Sequence, residues 1–382
     1  MSQAPFSILA WARTPVAPVG GALSRCQPHD LAAPLLARLL ADSGLPADRV
    51  DAVVLGNALG AGGNPARMLA LAAGLPERTP AATVDTQCCA GLDAITHACG
   101  LLALGQAQVV VAGGAEAWSR APLRHHRPLE HGAAPVPYDS PPFAPWPDRD
   151  PGMLQAAAAW AQRHGVTRAA QDAWAAASHA RAAAARGAMA GEIVPLNGLA
   201  HDAYPRERLS AARMPAVAGG GACAVGTAAV SPRADGAALL LLATHEACAR
   251  LGLRARALWH GASSVGGAPE VPMLCAAAAA RAAQARSGWP LARLDALELH
   301  DAFAAQGIAF CDELGLPPGT VNRQGGGLAR GHPIGASGAI ALVRVLAQLQ
   351  ATPSAAPRGM ACIAGAGGLG TAAWVSMPRE GA

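Results

Sequence analysis

Val84-Asp85-Thr86-Gln87-Cys88-Cys89-Ala90-Gly91-Leu92 is the stretch around which the rest of this 382-residue chain is organised. It reads as a buried strand ending in a cysteine pair, with a helix opening directly after it. Leu92, Ile95, Ala98/Cys99 and Leu102 recur at helical spacing. A cysteine in the first turn of such a helix faces unpaired backbone N–H groups and the positive end of the macrodipole. Both favour thiolate and predict a lowered pKa. A lone cysteine is more often a small buried hydrophobe. What singles out Cys88 lies in the second half of the chain.

That half repeats the first. Ser43-Gly44-Leu45-Pro46 followed by Val50-Asp51-Ala52-Val53-Val54-Leu55 matches Ser287-Gly288-Trp289-Pro290 followed by Leu294-Asp295-Ala296-Leu297-Glu298-Leu299. The offset is 295 − 51 = 244, and His332 lies at 332 − 88 = 244 from Cys88. Each is followed by a glycine (Gly91, Gly335), a helix, and a strand ending in small residues (Ala112-Gly113-Gly114 and Ala364-Gly365-Ala366-Gly367). One unit thus carries Cys in its first copy and His in its second. Copies packed about a pseudo-twofold axis bring the two helix N-termini together.

Cys88 beside His332 is the thiol–imidazole pair of covalent acyl transfer, the imidazole taking the thiol proton. The repeat sends two further segments to the same edge. His300 ends the strand Leu297-Glu298-Leu299, and Cys362 ends the strand Met360-Ala361. A second thiol suits general acid–base work, and a histidine N–H holds an oxyanion. The backbone N–H groups of Cys88 and Ala364 are candidates for another oxyanion hole.

Between these landmarks, buried apolar strands (Asp51–Gly56, Val109–Gly114) alternate with helices: one capped by Asp30 and running through Leu39, another opened by Asn64-Pro65-Ala66-Arg67. This argues for parallel sheets covered on both faces. From Trp118 to Ser231 the character changes. Arg, His and Pro crowd 120–151, and an Ala-rich helical stretch runs from Arg168 to Ala190, as expected of a mostly helical insertion. Asp235–Leu242 resumes the core.

Composition excludes several classes. A net charge of +4 with 4% aromatics is too mild for nucleic-acid binding. No apolar run reaches the ~18 residues of a membrane helix, and Met1–Phe6 shows no signal segment. Nine cysteines without a regular framework point to reduced thiols in a cytoplasmic protein. Modest positive charge, all of it arginine, suits a small anionic ligand.

With these residues in view the chain resembles a thiolase along almost its whole length. Asn64–Arg67, Gln87-Cys88-Cys89-Ala90-Gly91-Leu92, Ala112-Gly113-Gly114-Ala115-Glu116, Glu192-Ile193-Val194-Pro195 and Gly331-His332-Pro333-Ile334-Gly335-Ala336-Ser337-Gly338 follow the family pattern in order. The resemblance implies the layered α/β/α/β/α thiolase fold, built from two duplicated halves and a loop domain. It divides the chain into an N-terminal half (1–117), an inserted loop domain (118–231), a return to the first half (232–260) and a C-terminal half (261–382). It further implies a homodimer or homotetramer with no permanently bound cofactor, and coenzyme A or acyl-CoA as substrate.

By the same resemblance Cys88 takes the acyl group and His332 activates it. Cys362, matching the cysteine of the family's Cys-x-Gly-Gly-Gly segment, moves a proton at the α-carbon or the CoA thiol. Ser231, after Val225-Gly226-Thr227, stands at the CoA-contacting serine, and Met153 lies where many members place His-Met-Gly against pantetheine. The sequence departs from the pattern at His300-Asp301-Ala302-Phe303, which resembles sterol-carrier-type thiolases, at Ala364, at Gly152 and at Asp85. The reaction implied is thiolysis of a 3-ketoacyl-CoA or the reverse condensation. The alternatives are a ketosynthase-like condensing enzyme, kept open by His300 beside His332, and a non-catalytic acyl-CoA-binding protein.

Other signals carry less. Gly365-Ala366-Gly367-Gly368-Leu369-Gly370 fits a dinucleotide fingerprint, but the 12 residues after it leave no room for that fold. His125, His126, Glu130 and His131 sit in a Pro/Arg-rich loop, so no metal site is expected. Cys26, Cys99, Cys223, Cys248, Cys275 and Cys311 read as buried apolar residues, and His97 as a core histidine.

Overall fold

The computed structural model describes residues 6–60 and 62–379; the expectation about the extreme N-terminus therefore lies outside the described residues. The strands that build the main sheet are β1 (Phe6–Arg13), β2 (Ala52–Gly56), β3 (Ala81–Val84), β4 (Val109–Ala117), β5 (Ala234–Ala243), β6 (Ala257–Gly266), β7 (Ala296–His300), β8 (Arg358–Gly365) and β9 (Leu369–Ser376). They pair in the order β7-β8-β9-β6-β1-β5-β4-β2-β3, with the short strand Ala17–Pro18 added on β5.

The order contains the repeat. Outward from the seam, the first half reads β1-β5-β4-β2 and the second β6-β9-β8-β7. In each half the inner pairings are antiparallel and the outer one, β2 with β4 or β7 with β8, is parallel. The halves join antiparallel through Phe6↔Trp259, Ser7↔Leu258 and Ile8↔Ala257. The sheet is therefore mixed rather than purely parallel. The expected break at residue 260 falls inside β6; a strand is one continuous element, so the second copy begins by Ala257.

Both faces of each half are covered, because alternate residues of a strand point to opposite faces. Val109, Val111, Leu239 and Leu241 pack outward on α1 (Pro28–Ser43) and α2 (Pro65–Ala72). Val110, Ala112, Leu240 and Leu242 pack inward on α3 (Ala90–Ala103), together with Ala296, Ala361 and Ile363 of the other half and Ile340 and Leu346 of α8 (Ser337–Gln350). Leu297, Leu299, Met360 and Trp374 face outward onto α6 (Cys275–Ser287) and α7 (Ala304–Leu314). The result is the five-layered α/β/α/β/α arrangement, with α3 and α8 as its middle layer.

Glycine lets the two central helices meet. A Cβ on Gly91 would stand 2.8 Å from the Gly335 carbonyl oxygen and 3.0 Å from the Ala339 nitrogen. Only a residue without Cβ allows backbones so close.

Local differences from the sequence reading have simple causes. Gln27, not Asp30, caps α1; Asp30 sits at the third position and accepts the Gln27 amide at 2.9 Å, and the helix runs to Ser43. β3 is a half-exposed edge strand ending at Val84, so the cysteine pair lies beyond it. Between β4 and β5 the chain leaves the sheet and builds α4 (Met153–Arg163) and α5 (Arg168–Ala184), the latter ending six residues short of Ala190. Gly365–Gly370 is the end of the β8–β9 hairpin, with Ala366–Gly368 as its tight turn, and not a phosphate loop. His97 is exposed on α3 rather than buried, whereas the nine cysteines are all free and buried.

Candidate active site

Cys88 occupies a single 3₁₀ turn, Gln87–Cys89, just before α3 rather than in its first turn. Gln87 holds φ +54°, a left-handed value that costs a side-chain-bearing residue energy and turns the chain sharply at the nucleophile. Asp93 pins this elbow. Its buried carboxylate accepts from Thr86 (2.6 Å), Ser264 (3.0 Å) and Thr371 (2.8 Å), tying the turn to both β6 and β9.

His332 comes from the equivalent place in the second copy, ahead of α8. Its Nε2 lies 3.2 Å from the Cys88 sulfur and its Nδ1 lies 2.7 Å from the Ser337 hydroxyl. Ser337 donates to the Pro333 carbonyl at 3.0 Å, so its oxygen is left to accept from Nδ1–H. That network assigns the tautomer. The Nε2 lone pair faces the thiol, ready to take its proton.

The loop bearing His332 is held from several sides. Its carbonyl accepts from the Trp118 indole at 3.0 Å. Glu116 accepts from Gly335 N (3.0 Å), Ala58 N (2.8 Å) and Asn57 Nδ2 (2.7 Å), bridging the two halves beside the reacting pair. Burial pushes the Glu116 carboxyl up to about 7, opposed by the backbone amides of Ala58, Gly335 and Leu59.

The pair rests neutral, contrary to the expectation of a lowered thiol pKa. Burial pushes Cys88 up to about 12, and the same desolvation takes His332 down to about 4. With Cys88 only 7% exposed, the loss of water outweighs the helix end. The backbone amides that partly offset this for the sulfur are those of Ala366 and of Cys88 itself. Ala364, expected beside Cys88 as an oxyanion-hole amide, is still inside β8, opposite Gly370.

His300 ends β7 on the inner face, its ring centroid 4.3 Å from that of His332. It is 2% exposed, and its Nε2 has no hydrogen-bond partner. Burial and the neighbouring His332 and Arg330 hold its pKa well below 6.5. The structure thus brings Cys88, His332 and His300 together.

It does not bring Cys362 to them. The strand that the sequence ends at Ala361 continues to Gly365, so Cys362 falls in mid-strand. Its side chain faces the outer core with Leu299, Phe310, Met360 and Trp374, fully buried. Among the other expected contacts, the Ser231 hydroxyl donates to the Gly327 carbonyl at 2.6 Å, Val225 is buried, and Met153 opens α4 half-buried. The Ala366 amide and the roles of Ser337 and Asp93 were not read from sequence. Ser337 had a signal, five residues after His332 at a helix start. The His125–His131 segment forms part of a two-stranded hairpin, and no metal-ligating cluster occurs among the described residues.

A thiol paired with a tautomer-locked imidazole at two pseudo-symmetric helix starts is an arrangement suited to acyl transfer. The comparisons give the family. Residues 6–246 match the thiolase N-terminal domain and residues 253–377 the thiolase C-terminal domain. The chain belongs to the thiolase family. An acetyl-CoA acetyltransferase of Pseudomonas aeruginosa is 36% identical over 386 residues, covering 96% of this chain and 97% of its own. A putative acetyl-CoA C-acetyltransferase of Staphylococcus haemolyticus is 35% identical over 352 residues, covering 89% and 92%. Among solved structures, the Bacillus anthracis acetyl-CoA acetyltransferase superimposes with a TM-score of 0.89 at 31% identity, covering 99% of this chain and 100% of that one. The Acat5 thiolase from Ascaris suum in complex with coenzyme A gives 0.88 at 28% identity, covering 98% and 100%.

Proposed function

We propose that this thiolase cleaves a 3-ketoacyl-CoA with coenzyme A, or runs the reverse condensation, through an acyl group held on Cys88. The observation that carries this is the Cys88–His332 contact at 3.2 Å with the Nδ1 proton fixed on Ser337. His332 accepts the thiol proton as the sulfur attacks the ketone. The Ala366 amide and His300 Nε2 are donors available to the oxygens that gain charge.

Coenzyme A as the carrier rests on the relatives' names and on the bound CoA in the Ascaris suum neighbour. The insertion (118–231) is its place in this reading, with Ser231 and the half-buried Met153 at the approach and the buried Val225 packed behind them. An open cleft of about 600 Å³ between α4 and Gly219–Gly221 flanks that region. A cytoplasmic homo-oligomer is the accompanying proposal. No helix of the described residues is long and apolar enough to cross a membrane. The exposed Met68 and Leu71 beside the open edge of β3, with Leu123, Leu129 and Val136 on or beside the hairpin, favour a second copy as cover.

A second reading, decarboxylative condensation with a malonyl-type thioester, is favoured by one observation: two imidazoles 4.3 Å apart with Cys362 elsewhere. The test is CoA-dependent cleavage of acetoacetyl-CoA and a ladder of longer 3-ketoacyl-CoAs, with mass spectrometry for acyl-Cys88 and Cys88→Ala as control. Full activity in that variant refutes the proposal. Turnover of malonyl-CoA with no thiolysis on any rung moves the assignment to the second reading.

A further inference from the structure

The family pattern gives proton transfer at the substrate's α-carbon to a second thiol. In this chain no thiol stands where that role needs one. Cys362 is fully buried in the outer core. Side chains on a strand face repeat every second residue, so the next one on that face, about 7 Å nearer the hairpin turn, is Ala364. The amide that meets the Cys88 sulfur is Ala366, so a cysteine in Cys-x-Gly register with it would sit at 364, where there is a methyl group. Cys89 is no substitute: it is fully buried, with its sulfur turned to the Ile363 carbonyl at 3.9 Å. The nearby carboxylates are also engaged. Glu116 is bound by Asn57, Ala58 and Gly335, and Asp85 by Gln87. Among the described residues, the buried side-chain polar atom at the pair with nothing to bind is His300 Nε2.

We propose that this site works with one thiol: His332 carries every proton of the reaction, including the one delivered to the α-carbon, and His300 Nε2–H holds the enolate oxygen. Cys362 is a core residue. The steps balance without a second acid. The Cys88 proton moves to His332 Nε2 as the sulfur bonds the 3-keto carbon. The C2–C3 bond breaks, its electron pair passing to an enolate whose oxygen accepts from His300. His332 returns its proton to C2, and acetyl-CoA leaves. Neutral again, His332 takes the proton of the incoming CoA thiol. The CoA sulfur displaces Cys88 from the acyl group, and the proton goes back to Cys88.

This rests on the acyl-Cys88 reading, and the experiment separates the two. Purified parent, Cys362→Ala, Cys362→Val (which fills the same core space), His300→Ala and His300→Asn are compared in three assays. These are thiolysis of acetoacetyl-CoA, acyl uptake on Cys88 by mass spectrometry, and deuterium uptake into the methyl group of acetyl-CoA in D₂O, with thermal melts as the check on folding. At least one folded Cys362 variant is expected to keep thiolysis and exchange within about threefold. His300→Ala is expected to lose exchange by about a hundredfold while Cys88 still acylates, and His300→Asn, which retains an N–H donor, to recover part of it. Folded Cys362 variants that acylate Cys88 but no longer exchange overturn the proposal, as does His300→Ala with parental exchange. A parent enzyme whose Cys88 never takes up acyl fails the underlying reading instead.

Discussion

Gly114→Ala tests whether the inter-half contact sets the catalytic geometry. Gly114 lies in β4 directly beneath the loop that carries His332. A Cβ there would stand 2.1 Å from the Gly335 oxygen and 2.8 Å from the Ala336 Cα. Non-bonded heavy atoms settle near 3.5–4 Å, so the loop must retreat by roughly 1 Å or more. It has little room to do so, since Gly335 N is held by Glu116 at 3.0 Å and a Cβ on Gly335 would come within 2.6 Å of the Asn57 Cα. Moving His332 by that amount opens its 3.2 Å contact to Cys88 beyond hydrogen-bond range. Overpacking of this kind costs about 1–3 kcal/mol of stability, and a misplacement of about 1 Å costs about a hundredfold in rate. Thiolysis kinetics, iodoacetamide labelling of Cys88 and a thermal melt on the same preparations read both effects. A variant that melts with the parent and keeps kcat/KM within about threefold refutes the reasoning.

Three further outcomes follow from the same geometry. Ser337→Ala removes the acceptor for His332 Nδ1–H. At about 1.4 kcal/mol for the lost hydrogen bond, kcat/KM is expected to fall about tenfold with little change in KM; an unchanged kcat would show that the tautomer is fixed some other way. Between about pH 4 and about 12 the Cys88–His332 pair is neutral, so labelling of Cys88 should stay level through the neutral range and fall as His332 is protonated near 4. Because the folded His332 pKa is depressed, its contribution to stability is present above its ordinary 6.5 and is lost as pH falls through about 4; a labelling rate that breaks near 6.5 contradicts this. Asp202→Ala leaves the fully buried Arg13 without the carboxylate that binds it at 2.6 and 3.0 Å. A loss of about 3–5 kcal/mol is expected in denaturant unfolding, and a loss under about 1 kcal/mol would show that Glu192 alone suffices.

Much of this molecule was legible before any coordinate. The 244-residue offset named both Cys88 and His332, and it reappears in the structure as β2 and β7, Ala52–Gly56 against Ala296–His300. Local pattern sufficed there because strand, turn and helix start are each short-range, and duplication copies them together. His300 was legible for the same reason, as the last residue of a strand whose partner in the first copy was already placed.

Tertiary structure decided what depends on the third dimension. Four extra residues at the end of β8, Cys362 to Gly365, put Cys362 in mid-strand on the outer face and left Ala366 to meet the thiol. Strand ends are set by pairing with β9 and not by the residues of β8 alone. The charge state of Cys88 was likewise hidden. A helix start promises a low pKa, but the water that would solvate a thiolate is excluded by residues far away in sequence, and that desolvation reverses the sign. The sequence determined which residues could react and the fold decided which of them meet, because side-chain identity is local whereas burial and strand register belong to the whole sheet.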